Sequence, residues 1–209
     1  MSIEQAGPKM KSVPGERARR IIDSAIVLAE EGGFEAVRLR DIAAHAKVAL
    51  GTVYKRFSSK EDILVAVLEH EVDRLEAWGG GPPGAPGPPR APPAHFFENL
   101  HAVFFRKPKL AQAALRAAAA GDPALASKVA RFHARMTTII AEGITRAGLD
   151  TEAGGLTGAQ IQTLAYLLSQ VWFAALVGWM GGLCDQQAVI DQVRTACSLL
   201  LRGLAAQRT

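Results

Sequence analysis

Apolar residues along this chain recur at intervals of three and four, and no convincing stretch alternates at two, so the pattern restricts the fold to helices. An all-α protein of about nine helices is expected. Ile21, Ile22, Ala25, Leu28 and Ala29 stripe one helix that begins near Glu16 and stops at Gly32-Gly33. Two short helices are expected over 39–46 and 50–57. Ser58-Ser59-Lys60-Glu61-Asp62 then offers a capping box in either of two registers, Ser58 with Glu61 or Ser59 with Asp62. It opens a helix to about Trp78 that buries Ile63, Leu64, Val67, Leu68, Val72 and Leu75. Further helices are expected over 94–106, from Pro108, over 122–147 with Asp122 as cap and Pro123 in the first turn, over 157–180 and over 185–206.

The run GGGPPGAPGPPRAPP at 79–93 interrupts this pattern, because proline removes backbone donors and glycine resists ordering; a flexible or partly polyproline linker is expected there. The chain is thereby divided into an arm (1–15), a small head (16–60) and a larger helical body (61–209) that carries the Gly/Pro-rich loop.

Charge separates the same parts. Residues 1–60 hold 11 Lys/Arg against 7 Asp/Glu, whereas the remaining residues hold 13 of each. The whole net charge of +4 therefore sits in the head and arm, which points to a polyanionic partner for that end alone. Cys184 and Cys197 are too few for a disulfide framework or a four-ligand zinc site, and a reducing cytoplasm fits them. The first 16 residues contain no apolar segment of the kind that export signals need. Residues 153–184 lack Asp, Glu, Lys and Arg and are long enough to span a bilayer, but Gln160, Gln162, Thr163, Ser169 and Gln170 interrupt them. A helix enclosed by protein is the expected reading.

The segment LRDIAAHAKVALGTVYKRF, residues 39–57, has the anatomy of a helix-turn-helix: a short helix, a turn, and a second helix suited to the major groove. Ala43 stands where the two helices must approach closely, and Ile42, Val48, Val53 and Phe57 can close the core beneath. Gly51, Thr52, Tyr54 and Lys55 are left outward. Thr52 offers a hydroxyl to phosphate and a methyl to thymine, Tyr54 and Lys55 can donate to phosphates, and Lys60 flanks the same groove. Arg38, Arg40 and Lys47 add charge around it, and Arg17, Arg19 and Arg20 can extend an arm toward the backbone or minor groove.

GTVYKRFSSKEDIL resembles the recognition-helix signature of the TetR family of regulators, and ARRIIDSAIVLAEEGGFEAVRLRDIAAHA resembles that family's first two helices. The resemblance implies a homodimer that binds a near-palindromic DNA operator, usually as a repressor, and lets go when a small molecule enters the C-terminal domain. Two positions depart from the pattern. Val37-Arg38 replace the usual Thr or Ser before the second helix, so a side-chain cap worth about 1 kcal/mol is lost, while Arg38 can touch phosphate by charge. Lys47 replaces a glycine in the turn; positive φ would cost it about 1–2 kcal/mol, so a turn of different shape is expected, with the ammonium toward DNA.

The body carries no fingerprint of that specificity. Leu164, Leu168, Leu176, Val193, Cys197, Leu200 and Leu204 on the last two helices are too apolar to face water, and pairing them with a second copy would give a four-helix dimer interface. Phe97, Leu100, Phe104, Leu115, Phe132, Met136, Trp172 and Phe173 supply walls suited to an apolar effector, each competing with a plain core role, and His101, His133 and Gln170 are candidate polar orienters. The stretch from VWFAALVGWMGG to TACSLLLRG resembles regulators of steroid or fatty-acyl catabolism, which implies an acyl-CoA or steroid-like effector. No cofactor, metal site or catalytic constellation is expected. Two other readings stay open: a helical enzyme acting on lipids, and an interaction module whose basic end meets an acidic protein. Turnover of a lipid-like substrate without operator binding would favour the first, and weak salt dependence without site preference the second.

Overall fold

The computed structural model describes residues 14–78, 93–146 and 155–206; most of the arm and nearly all of the Gly/Pro-rich loop lie outside them. Among the described residues nine α-helices and one 3-10 turn occur, with no strand. The helices are α1 (Pro14–Ala36), α2 (Leu39–His45), α3 (Leu50–Tyr54), α4 (Lys60–Trp78), α5 (Pro93–Phe104), α6 (Pro108–Ala119), α7 (Ala126–Arg146), α8 (Gly158–Met180) and α9 (Gln186–Ala206).

Most boundaries have a local chemical cause. Helix α1 is broken at Gly33, whose φ of 67° is open to glycine and costly for other residues. Both serines before α4 are used: Ser59 Oγ accepts from Asp62 N–H at 3.1 Å, and the Asp62 carboxylate returns a bond to the Ser58 backbone at 2.9 Å. Of the two expected capping registers the structure adopts Ser59 with Asp62, with the returning bond shifted one residue outward. Helix α8 opens with a full capping box between Thr157 and Gln160. The single helix expected over 122–147 is divided, because Asp122 caps Ala124 N–H at 2.9 Å and winds Pro123–Leu125 into a 3-10 turn before α7 begins. Helix α3 ends at Tyr54, short of the expected Phe57; Arg56 and Phe57 both donate to the Val53 carbonyl at 3.0 Å in a closing turn.

Two apolar cores result. Ile21, Ala25, Ala29, Val37, Ile42, Val53 and Phe57 form the head core together with Ile63 and Leu64 of α4. The body core is built from α5 to α9 with Leu68 and Val72 of α4, and α8 lies between α7 and α9 and buries Ile161, Leu164, Leu168, Trp172 and Leu176. By length and composition α8 could cross a membrane, yet this face is covered by the protein's own helices.

Helix α6 belongs to both cores. Leu110, Ala113 and Ala117 enter the head core, while Ala111, Ala114, Leu115 and Ala118 enter the body core. Its alanines let α1 approach on one side and α8 on the other, so α6 is the shared wall between head and body.

Candidate nucleic-acid interface and effector cavity

The helix-turn-helix closes as its spacing requires. Ile42 and Val53 are fully buried, Ala43 and Phe57 nearly so, and Val48 packs against them. What remains outward is the face proposed for DNA: Gly51, Tyr54 and Lys55 are exposed, Thr52 is half-buried, and Tyr54 leaves 59% of its surface in solvent although it is a large aromatic. Arg38 and Arg40 are also exposed, Arg38 at the start of α2 with an extended backbone and no side-chain cap bond.

Lys47 corrects the sequence reading. Its φ is +53°, so it does take the left-handed conformation. The reason lies in the backbone bonds that end α2: Lys47 N–H donates to the Ala44 carbonyl at 3.2 Å and Val48 N–H to the Ala43 carbonyl at 3.0 Å. This is a Schellman closure, which demands a left-handed residue just after the cap, and here lysine occupies that place. Its side chain stays exposed beside the recognition helix.

Lys60 is placed differently from the other cations. Its ammonium lies 3.8 Å from the centre of the Phe34 ring and 3.8 Å from Glu35, folded back on the end of α1. Arg116 of α6 covers the same ring at 4.2 Å and bonds Glu35 at 3.0 Å. A second tie, invisible in the sequence pattern, joins α2 to α1: Ser24 Oγ donates to the Arg20 carbonyl at 2.7 Å, so His45 Nδ1, 3.0 Å away, must carry the proton it shares with Ser24.

Between α4 and α7 runs a ladder of ion pairs that sequence reading missed. Asp62, Glu69, Asp73 and Glu76 share one face of α4 and meet Lys128, Arg131 and Arg135 on α7. Arg131 lies 2.6 Å from Glu69; Arg135 lies 2.6 Å from Asp73 and grips both Glu76 oxygens at 2.7 and 2.9 Å. Burial alone would raise the Asp62 pKa, but the bonds from Lys128 and Ser58 outweigh it and hold the carboxyl below its ordinary value. The acids were legible as spacings of seven, four and three, a single helical face.

A cavity of about 60 Å³ lies between α4, α5 and α6, walled by Val67, Leu68, Leu75, Leu100, Phe104, Leu110, Ala111 and Ala114, with Glu71 and Lys107 as its charged members. Of the expected pocket residues only Leu100 and Phe104 line it. Phe97, Leu115, Phe132, Met136 and Trp172 are packed core, as when Trp172 meets Phe104 edge to face at 5.4 Å, and Phe173 stacks beside His133 at 4.5 Å. These side chains interlock the body helices. His101 donates through Nε2 to the Gln186 carbonyl at 3.0 Å, which ties α5 to α9. Burial pushes the pKa of both histidines down, and Gln170 is exposed.

The expected dimer residues need a similar correction. Leu164, Leu168, Leu176, Val193 and Cys197 are buried within their own chain, because they face α7 and the α8–α9 seam, and a second copy cannot reach them. Leu200 and Leu204 are half-buried along a surface groove with Leu167. The apolar side chains that α8, α9 and the connection between them leave in solvent are Tyr166, Leu167, Leu183 and Leu199.

Comparison with known proteins agrees with this division. Residues 21–67 match the N-terminal domain of the bacterial regulatory proteins of the tetR family, and residues 93–200 match a tetracyclin repressor-like C-terminal domain. The HTH-type transcriptional repressor KstR of Rhodococcus jostii is 33% identical over 186 residues, covering 89% of this chain and 83% of that protein. A crystal structure of a TetR transcriptional regulator from Rhodococcus sp. RHA1 superposes with a TM-score of 0.72 at 26% identity, covering 91% of this chain and 97% of the other. The structure of Thermus thermophilus FadR, a repressor in complex with lauroyl-CoA, shares the fold at a TM-score of 0.59 and 21% identity, covering 89% and 94%. With a helix-turn-helix head, an all-helical body and a relative matching both along most of their length, the chain belongs to the TetR family of bacterial transcriptional regulators.

Proposed function

We propose that this protein is a repressor that binds a two-fold symmetric DNA site as a homodimer and releases it when an apolar effector enters the body. The observation that carries the reading is the exposed face of the helix-turn-helix. Tyr54, Lys55, Thr52 and Gly51 face outward over a closed core, with Arg38, Arg40 and Lys47 around them. Thr52 and Tyr54 are suited to base edges and phosphates, the cations to phosphates alone. Lys60 serves in a different way, bracing Phe34 and Glu35 at the end of α1, from which its ammonium can swing to a phosphate. In this division residues 16–60 carry DNA recognition and 61–209 carry effector sensing and dimerisation, in the compartment where the DNA lies.

For the dimer, the solvent-facing side of α8 and α9, with Tyr166, Leu167 and Leu199, is the surface suited to a second copy. For the effector, the cavity between α4, α5 and α6 is the starting point, and its lining favours an apolar ligand. The KstR relative is named a repressor, and a fold neighbour holds lauroyl-CoA, which supports repression and an acyl effector.

The test is binding to a duplex taken from the region upstream of its own gene. Tyr54→Ala and Lys55→Ala are each expected to weaken binding by about 1–3 kcal/mol while leaving the oligomeric state unchanged. Affinity of the wild type should fall steeply with salt. Unaltered binding in both variants would refute the assigned recognition helix.

A further inference from the structure

Lys107 is at once a wall of the α4–α5–α6 cavity and one half of an ion pair with Glu30 on α1. The same residue thus walls the space an effector would enter, and its ammonium reaches the helix that carries the head. Its surroundings are cationic: Arg106, Lys107 and Lys109 fall within four residues, and the first turn of α6 contains no acid. Lys109 holds α1 as well, through the Glu31 carbonyl at 2.8 Å. The other charged wall residue, Glu71, has Arg74 of its own helix at 3.2 Å and His70 Nδ1 at 3.7 Å. The negative charge in the cavity is therefore compensated within α4, whereas the positive charge is compensated only by reaching across to α1.

We propose that Lys107 recognises the charged end of the effector, a single-chain amphiphile with an anionic terminus, and that ligand and Glu30 compete for its ammonium. The proposal rests on the reading of the chain as an effector-responsive DNA-binding protein. An anion seated at the cavity rim draws Lys107 away from Glu30 on its flexible four-carbon stem. One tie between α6 and α1 is then lost, and α1 holds the helix-turn-helix in place. Linkage makes the effect reciprocal: whatever factor the ligand takes from DNA affinity, DNA takes from ligand affinity.

Carboxylate and phosphate termini share the chemistry required, so calorimetric titration of the full chain uses dodecanoate and dodecyl phosphate, with dodecanol and dodecyltrimethylammonium for comparison. At least one anion is expected to bind the wild type, and the tighter of the two identifies the terminus. Lys107→Met should weaken that anion about tenfold, and Glu30→Gln, which removes the competitor, should tighten it about threefold, while dodecanol changes less than about twofold in either. Failure of both anions to bind, equal binding in Lys107→Met, or an ammonium amphiphile binding as well as the anions would overturn the proposal. Should Lys107→Met not fold, Glu30→Gln decides alone, and no tightening there overturns it. These titrations contain no DNA, so a negative result leaves the DNA-binding reading standing, and loss of operator binding by the wild type would sink that reading without touching the titrations.

Discussion

Replacing Lys47 with glycine should stabilise this protein although it removes a charge and adds no contact. Lys47 has φ +53° because the Schellman closure of α2 needs a left-handed residue there. A residue with a Cβ pays about 1–2 kcal/mol for that conformation. Glycine pays nothing sterically but gives the unfolded chain more freedom, at about 0.4–1 kcal/mol. The difference leaves Lys47→Gly more stable by about 0.5–1 kcal/mol, a rise in Tm of about 1–4 °C for a chain of this length at fixed protein concentration. Lys47→Ala is the control, since it loses the same ammonium but keeps the Cβ and therefore the strain. Thermal unfolding followed by circular dichroism compares the three. If the ammonium touches a phosphate, both variants should lower the salt slope of DNA binding by about one, despite their different stabilities. A glycine variant no more stable than the alanine variant would refute the strain argument.

Asp62→Asn should cost about 1–2 kcal/mol, because the amide cannot accept from Lys128 and Ser58 as the carboxylate does. Since the folded pKa lies below the ordinary 3.8, the carboxylate's contribution is complete above that value and is lost as pH falls through the folded one; urea titrations between neutral and acid pH should show this loss in the wild type and not in the variant. Arg135→Met should destabilise by on the order of 1 kcal/mol in dilute buffer and by less in 1 M salt, since two exposed carboxylates, Asp73 and Glu76, lose their shared partner. Leu199→Glu should dissociate the proposed dimer in sedimentation analysis and leave the fold intact, as Leu199 is 62% exposed. Leu168→Ala should do the opposite, costing about 2–5 kcal/mol of stability with no direct effect on the interface, because Leu168 is fully buried in its own chain.

The head was legible because its pattern has one solution. Only a helix-turn-helix lets Ile42, Ala43, Val53 and Phe57 close together while Gly51, Tyr54 and Lys55 stay outside. The turn was misread at Lys47 because its conformation is imposed by the closing bonds of α2 and runs against the residue's own preference. In the body the opposite difficulty holds. Helix α8 is apolar on several faces, so periodicity cannot separate the side of Leu164 and Leu168, turned inward, from the side of Tyr166 and Leu167, turned out. The pocket is illegible for a related reason: Phe132, Met136 and Trp172 look the same in a sequence whether they wall a cavity or fill it.

The position of α6 shows where sensing and DNA binding meet. A sequence boundary after residue 60 follows the recognition motif, yet the head core takes in Ile63, Leu64, Val65 and Val67 of α4 and Leu110, Ala113 and Ala117 of α6. The helix that walls the proposed effector cavity with Leu110, Ala111 and Ala114 therefore also builds the floor on which α1 rests. At about 60 Å³ the cavity lies far below the several hundred Å³ of a small-molecule site. If the effector enters here, as proposed, it has to move α4, α5 or α6, and two of these three contact α1 directly. Close packing then forbids the ligand to be accommodated silently, since alanine-lined seams leave no slack to absorb the shift. On the proposed reading, repression and release are two packings of one wall.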